Sequence, residues 1–163
     1  MKEPTVVLIL AVTVLAAANG CLLGWIRHGK YCYAFDNAYL TYYEAAAMCK
    51  IYGGRLPQID SQSKQDFIAA EMANKSFTKA WAGGTSRFHI GIWEWIPSHK
   101  LFNYSNWAVG EPFEPAGRRC MVLNSNLRYK WASAFCAYRE KFLCERRHHP
   151  TTASTTTTSQ ILH

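Results

Sequence analysis

The chain has 163 residues, of which 49% are hydrophobic, 18% are charged and 14% are aromatic. This length suits one ordinary domain. The composition allows a packed core and excludes a disordered polymer, a collagen, a coiled coil and a membrane bundle. Lys and Arg number 18 against 11 Asp and Glu, a net charge of +7. Such a basic balance keeps anionic partners open without indicating which anion is bound.

Residues 1–20 have the features of a secretory signal peptide. Lys2 precedes an apolar run from Val6 to Ala18, and small residues follow it. A membrane-spanning helix needs about 20 apolar residues, so cleavage after Ala18 or Gly20 is favoured over a membrane anchor. We therefore expect a secreted, extracellular protein with no stable membrane span.

Six cysteines follow this segment, and the oxidising compartment reached by secretion favours disulfides. An even number leaves no obligatory free thiol, and the sequence has no C-x-x-C pair of the kind that binds zinc. The residue count alone leaves their pairing open. The cysteines are Cys21, Cys32, Cys49, Cys120, Cys136 and Cys144.

Two helices are predicted in the first half of the chain. Thr41 and Glu44 have the spacing of a capping box, and Gly53-Gly54 ends the helix that they begin. A second helix is predicted from just after Ser61 to about Asn74. Its buried side is predicted to carry Phe67, Ile68 and Met72.

Loops and short strands are predicted from Trp81 onward, because glycines and prolines interrupt every helical period. The runs Met121–Leu123 and Leu127–Trp131 flank a short polar turn and predict a hairpin. Apolar residues alternate with cations in the second run. Arg128 and Lys130 are therefore expected on its outer face.

A disordered tail is predicted over residues 147–163. No bulky apolar residue occurs between Thr151 and Ser159, so this segment cannot form a core. An O-glycosylated stalk and an unmodified tail both remain open.

Several short motifs follow one another in a characteristic order between Cys21 and about Arg146. They are Cys49, Gly53-Gly54-Arg55-Leu56, Ser61 with Phe67, Trp81-Ala82-Gly83-Gly84, Trp93-Glu94-Trp95, Asn106-Trp107, Glu111-Pro112, Cys120, Trp131, Cys136 and Cys144-Glu145. Their order and spacing resemble the C-type lectin-like domain. The resemblance implies an α+β fold over residues 21–146, with two helices, small antiparallel sheets and a long loop region.

The resemblance also implies a cysteine pairing. It joins Cys21 to Cys32, Cys49 to Cys144, and Cys120 to Cys136. The first pair is typical of the long form of the domain, which has an N-terminal hairpin.

Many members of the family bind sugars through a calcium ion, which prefers about six to eight oxygen ligands. The resemblance places ligands in an E-P-N tripeptide, just before a cysteine, and in a W-N-D motif. The tripeptide here is Glu111-Pro112-Phe113, the residues before the cysteine are Arg118 and Arg119, and the last motif is Trp131-Ala132-Ser133. Only Glu111 keeps a strong ligand, so we expect no metal and no cofactor.

Two interpretations of the Glu111-Pro112 pair remain. The proline of this motif tends to be cis in the family and to shape the loop. Alternatively, Glu111 forms an ion pair with Arg118 across the vacated calcium position.

Two surfaces are candidates for binding. The first is basic and suits sulfated glycans or anionic head groups, unless it is simply a solvated face; it comprises Arg118, Arg119, Arg128, Lys130, Arg139 and Lys141. The second is aromatic and could stack on a sugar or anchor a protein; it comprises Phe102, Tyr104, Trp107 and Phe113. The candidate ligand-binding residues are Trp107, Glu111, Phe113, Arg118, Arg119, Arg128 and Lys130.

Two further residues are candidate N-glycosylation sites, and two tryptophans belong to the core. Asn74 and Asn103 each begin an N-x-S sequon. Trp93 and Trp95 resemble the buried tryptophan pair of the family.

No enzyme motif is present, so we expect no catalytic residue, and no module suggests nucleic acid. The sequence favours a calcium-independent recognition protein for a glycan or an extracellular protein, acting in extracellular recognition or defence. The alternatives are a calcium-dependent lectin with a rearranged site and a structural matrix or secretion protein.

Overall fold

The computed structural model describes residues 20–114 and 117–148. Two helices, α1 (Tyr42–Ile51) and α2 (Gln62–Asn74), occupy the first half of the domain. The predicted signal peptide, apart from Gly20, and the Ser/Thr-rich tail beyond residue 148 lie outside the described residues.

The helix boundaries follow from local capping. Thr41 and Glu44 form the predicted capping box, in which the Glu44 carboxylate accepts from the Thr41 backbone N–H at 2.9 Å. Gly53 follows α1 with a φ of +74°, a conformation that glycine adopts without strain. The Ser61 hydroxyl caps α2. Both predicted helices are confirmed.

The described residues also contain eight strands, numbered here in chain order; β1 and β2 precede α1. They are β1 (Ile26–His28), β2 (Tyr31–Leu40), β3 (Lys79–Thr85), β4 (Glu94–Trp95), β5 (Lys100–Leu101), β6 (Arg118–Asn124), β7 (Lys130–Phe135) and β8 (Glu140–Arg147). They join in the order β1-β2-β8-β3-β4-β5, and β6 pairs with both β3 and β7. Every pair is antiparallel except β3 with β8. The last strand extends to Arg147, one residue past the predicted domain boundary.

The second strand of the hairpin begins later than predicted, so the prediction that it starts at Leu127 is wrong. The side chain of Asn124 accepts from the Asn126 backbone N–H at 3.1 Å and caps a 3-10 turn at Ser125–Leu127. Arg128 and Tyr129 then adopt positive φ angles of 56° and 58°. Because this turn competes with strand pairing, β7 begins only at Lys130, and Arg128 does not share a strand with it.

Hydrophobic side chains fill both faces of the sheet. One cluster packs against α2 through Ile68 and Met72, as predicted, and includes Trp93, Trp95 and Trp131. The second cluster packs against α1 through Tyr42, Ala45 and Cys49. The predicted burial of Trp93 and Trp95 is confirmed, at 7% and 2% exposed. The two clusters leave the loops around β4, β5 and β6 at the surface.

Three disulfides cross-link the domain: Cys21–Cys32, Cys49–Cys144 and Cys120–Cys136. They are the pairs that the resemblance implies, and the first closes the N-terminal hairpin of the long form. Sequence separations of 95 and 16 residues correspond to about 4.7 and 3 kcal/mol in a loop-entropy treatment.

A buried carboxylate joins the long strand β8 to the segment between the helices. Glu145 is fully buried, and its Oε1 accepts from the Arg55 side chain at 2.9 Å and from the Gln58 backbone N–H at 3.2 Å. Lys64 lies 3.5 Å from its Oε2. Because the charge is matched by two cations, the burial of Glu145 is compensated.

Candidate functional site

The carboxylate of Glu111 is held by hydrogen-bond donors of the chain itself. Its Oε2 accepts from the Phe113 backbone N–H at 2.8 Å, from the Ser133 backbone N–H at 2.9 Å and from the Ser133 hydroxyl at 2.7 Å. The same hydroxyl lies 2.7 Å from the Phe113 carbonyl. The Glu111-Pro112 peptide is cis, as expected. These contacts fix the loop to β7.

Arg118 is not the partner of Glu111, so the predicted ion pair is wrong. The Arg118 guanidinium instead lies over two rings, 5.7 Å from the centroid of Phe113 and 5.6 Å from that of Phe135. Ring faces attract cations, and the donors of Ser133 already satisfy the carboxylate. This role of Ser133 has no signal in the sequence beyond its position in the motif that corresponds to W-N-D.

The residues at this position do not fit a calcium ion. Calcium needs about six to eight oxygen ligands, whereas the chain presents the ring of Phe113, the cation of Arg118 and the methyl group of Ala132. Glu111 and Ser133 bind each other. Within residues 20–114 and 117–148, no three acidic, His or Cys side chains are grouped so as to hold a metal ion.

The cleft beside Glu111 is also small. It has a volume of about 160 Å³ and is lined in part by Arg118, Ser133 and Glu140. Pockets for small molecules usually measure about 300–1,000 Å³. This cleft is therefore smaller than a usual small-molecule pocket.

The predicted basic surface is dispersed. Arg139 contacts Glu44 at 3.4 Å, Lys141 lies over the ring of Phe77, and one nitrogen of Arg119 is buried. Among the candidates, only Arg128 and Lys130 are both exposed and near one another, at the hairpin turn.

The predicted aromatic surface forms the wall of a larger groove. This groove, here called the aromatic groove, has a volume of about 540 Å³, and its walls include Ile92, Trp93, Leu101, Phe102, Tyr104 and Trp107. Pro112 closes one side. Phe113 lies outside the groove wall and is 55% exposed. The volume is that of a small-molecule pocket.

Contacts beneath the aromatic groove hold its walls in place. Trp107 packs edge-on against Trp93 and Trp131, with centroids 4.6 and 5.5 Å apart. The Tyr104 hydroxyl donates to Gln62 at the start of α2 at 2.9 Å. Burial raises the pKa of the Tyr104 phenol, which keeps its proton for this bond. The Trp93 indole N–H donates to Glu114.

Residues 38–146 match the profile of the Lectin C-type domain, two thirds of the chain. The chain belongs to the C-type lectin family. Its three disulfides fit the long form of the family's domain.

Two relatives of this C-type lectin share its sequence along most of their length. The galactose-specific lectin nattectin of Thalassophryne nattereri is 31% identical over 134 residues, which cover 80% of the chain and 82% of nattectin. Lithostathine-2 of Mus musculus is 31% identical over 136 residues, which cover 81% of the chain and 78% of the relative.

Solved structures share the fold. A calcium-independent type II antifreeze protein superposes with a TM-score of 0.72 at 25% identity, covering 79% of the chain and 95% of that protein. These relatives indicate a lectin-like recognition protein. In the part of the C-type lectin that the structure describes, neither helix is long and apolar enough to cross a membrane.

Proposed function

We propose that this protein is secreted and recognises an extracellular glycan or protein without calcium. The observation that carries the proposal is the closure of Glu111 onto Ser133 and Phe113. In the family, the carboxylate at this position faces an ion. Here its Oε2 lies 2.7–2.9 Å from donors of the chain, so the loop keeps its shape without a metal.

Charge supports the same conclusion. Residues 83–147 contain ten Lys and Arg against five Glu, and no Asp occurs after Asp66. This segment includes the three motifs at which the resemblance places calcium ligands. A divalent cation would therefore meet both a lack of donors and a repulsive field.

The relatives support the ligand class. The name of nattectin records galactose specificity, and the type II antifreeze protein is described as calcium-independent. Together they favour a domain of this fold that binds its ligand without the ion. A binding role also agrees with the absence of enzyme motifs from the sequence.

We place the ligand contacts on the exposed side of the Glu111 loop. Phe113 is 55% exposed and is stacked by the Arg118 cation, which offers a flat ring and fork-shaped donors together. Arg128 and Lys130 are secondary candidates. Glu111 and Arg119 are proposed to support the loop, because their polar atoms face inward.

The test is a glycan array probed in calcium and again in EDTA. Binding that is unchanged by EDTA is expected, and EDTA-sensitive binding would refute the proposal. Phe113→Ala should weaken the signal, whereas Phe88→Ala, at a ring that is 59% exposed elsewhere, should not. If no glycan is bound, extracellular proteins are the next ligands to test. If no protein is bound either, a structural matrix role is favoured.

A further inference from the structure

The aromatic groove has an occupant that the chain itself can supply. Asn103 and Ser105 form part of its wall, and with Tyr104 they make the sequon Asn103-Tyr104-Ser105. Both Asn103 and Ser105 are exposed. Within the described residues, the Asn103 amide has no hydrogen-bond partner, so its nitrogen is free for a glycosidic bond.

We infer that an N-linked glycan on Asn103 folds back and covers the aromatic groove with its first sugar units. The inference rests on the proposed secretion of the chain, because the modification occurs only in the secretory pathway. It does not depend on calcium independence.

The chemistry of the groove suits an uncharged sugar. None of its described lining residues carries a charge, and its walls combine aromatic rings with the amide and hydroxyl of Asn103 and Ser105. The C–H face of a pyranose packs on a ring while its hydroxyls reach polar groups and water. An anionic sugar is disfavoured, because Glu114 accepts from Trp93 behind the wall.

The apolar rim of the groove needs a cover. Ile92 is 49% exposed and Leu101 is 63% exposed at its mouth. Together with the rings of the groove they form an exposed apolar area, and such contiguous areas are typical of binding surfaces. A glycan that begins within the groove wall provides that cover without a second molecule.

Because the glycan is attached to Asn103, weak stacking on the rings is enough to hold its first sugar in the aromatic groove. A free monosaccharide in an open groove binds poorly, but a short flexible tether raises the effective concentration of the attached sugar to about the millimolar range. The attachment loop is also anchored, since the Tyr104 hydroxyl donates to Gln62. The first sugar therefore starts next to its binding surface, and a dissociation constant of about a millimolar is enough for it to cover the groove about half of the time.

The experiment uses the full chain secreted from a glycosylating eukaryotic cell. Trp81, Trp93, Trp95 and Trp131 are at most 7% exposed, so Trp25 and Trp107 are the accessible tryptophans among the described residues. A Trp25→Phe background leaves Trp107 to report on the groove. Acrylamide quenching of tryptophan fluorescence is compared with and without Asn103→Gln.

Two further variants provide controls. Ser105→Ala removes the same glycan but keeps Asn103, so both variants should raise the quenching constant of Trp107 about twofold, the factor expected when the tethered sugar covers it half of the time. Asn74→Gln removes the other sequon. Asn74 is exposed at the far end of α2, about 18 Å along the helix from Gln62, so its loss should leave quenching unchanged.

Mass spectrometry of the secreted chain separates the outcomes. A chain that carries a glycan on Asn74 but none on Asn103 would overturn the inference while leaving secretion intact. A glycan on Asn103 whose removal does not change quenching would overturn it too. Failure to reach the medium, with neither site modified, would reject both this inference and the proposed secretion.

Added N-acetylglucosamine gives a competition test. It should protect Trp107 in the Asn103→Gln chain at high concentration and have a clearly smaller effect on the glycosylated chain, in which the groove is already partly covered. Equal protection of both chains would show that the groove is open and would refute the inference.

Discussion

Restoring the missing calcium ligands tests whether the loops of this protein are aligned correctly with those of its family. The four-residue variant carries Phe113→Asn, Arg118→Glu, Ala132→Asn and Ser133→Asp, and it removes the Ser133 hydroxyl, the one side-chain donor to Glu111. Calcium sites in extracellular modules have dissociation constants of about 10⁻⁴–10⁻³ M. At about 10 mM calcium, linkage then stabilises the fold by about 1.4–2.7 kcal/mol, which raises Tm by about 4–10 °C.

A three-residue variant that keeps Arg118 is the matched control. The guanidinium lies 5.7 Å from the Phe113 ring, the position of the restored ligand. At that distance, a dication and a guanidinium repel each other by about 6 kcal/mol at an effective dielectric constant near 20. Since this exceeds the expected gain, the control should show no calcium-dependent rise in Tm.

The assay is thermal unfolding followed by circular dichroism, in calcium and in EDTA. If calcium does not change the Tm of the four-residue variant, these loops do not correspond to the family's calcium site. An unmodified protein whose Tm rises with calcium would refute the argument from Glu111 and Ser133 directly.

Other substitutions test individual contacts. Ser133→Ala removes a hydroxyl from Glu111 and should lower the free energy of unfolding in urea by about 1.5–3 kcal/mol; a change below about 0.5 kcal/mol would contradict the proposed role of the contact. Arg55→Met leaves Glu145 buried beside one cation and should cost about 3 kcal/mol in the same assay, whereas a change below about 0.5 kcal/mol would contradict the compensation of Glu145 by Arg55. The backbone N–H at the start of α1 lowers the pKa of Glu44, so this carboxylate stabilises the fold above its ordinary pKa of 4.5 and loses that effect as the pH falls through the lowered value. Glu44→Gln should therefore flatten the dependence of urea stability on pH below that point, and an unchanged profile would exclude the contribution.

The helices were predictable because their signals are local. Thr41, Glu44 and Ser61 act on backbone groups within three residues, so the sequence contains the whole interaction. The start of β7 was not predictable in the same way. Arg128 and Tyr129 adopt positive φ angles that their residue types rarely adopt, and alternation of apolar and charged residues cannot reveal that.

The candidate site was predictable in part. Comparison with the family located Glu111 and the lost ligands, but charge alone then suggested Arg118 as the partner of Glu111. Two of the three actual donors come from Ser133, 22 residues away along the chain, and only the packing of the loop against β7 brings them to Glu111. The sequence predicted the aromatic residues but not the groove that they form. Ile92 and Leu101 belong to no motif, and only the fold places them beside the aromatic rings.

The pairing of β2 with β8 brings the two ends of the described domain together. His148 donates its backbone N–H to Lys30 at 2.8 Å, and Gly20 lies against the His148 ring. The strands β1 and β5 end the sheet order on opposite sides, and Leu101 of β5 borders the aromatic groove. Segments joined at either end would thus attach beside β1 and β2, so several copies could be clustered and gain avidity without the attached segments obstructing the aromatic groove.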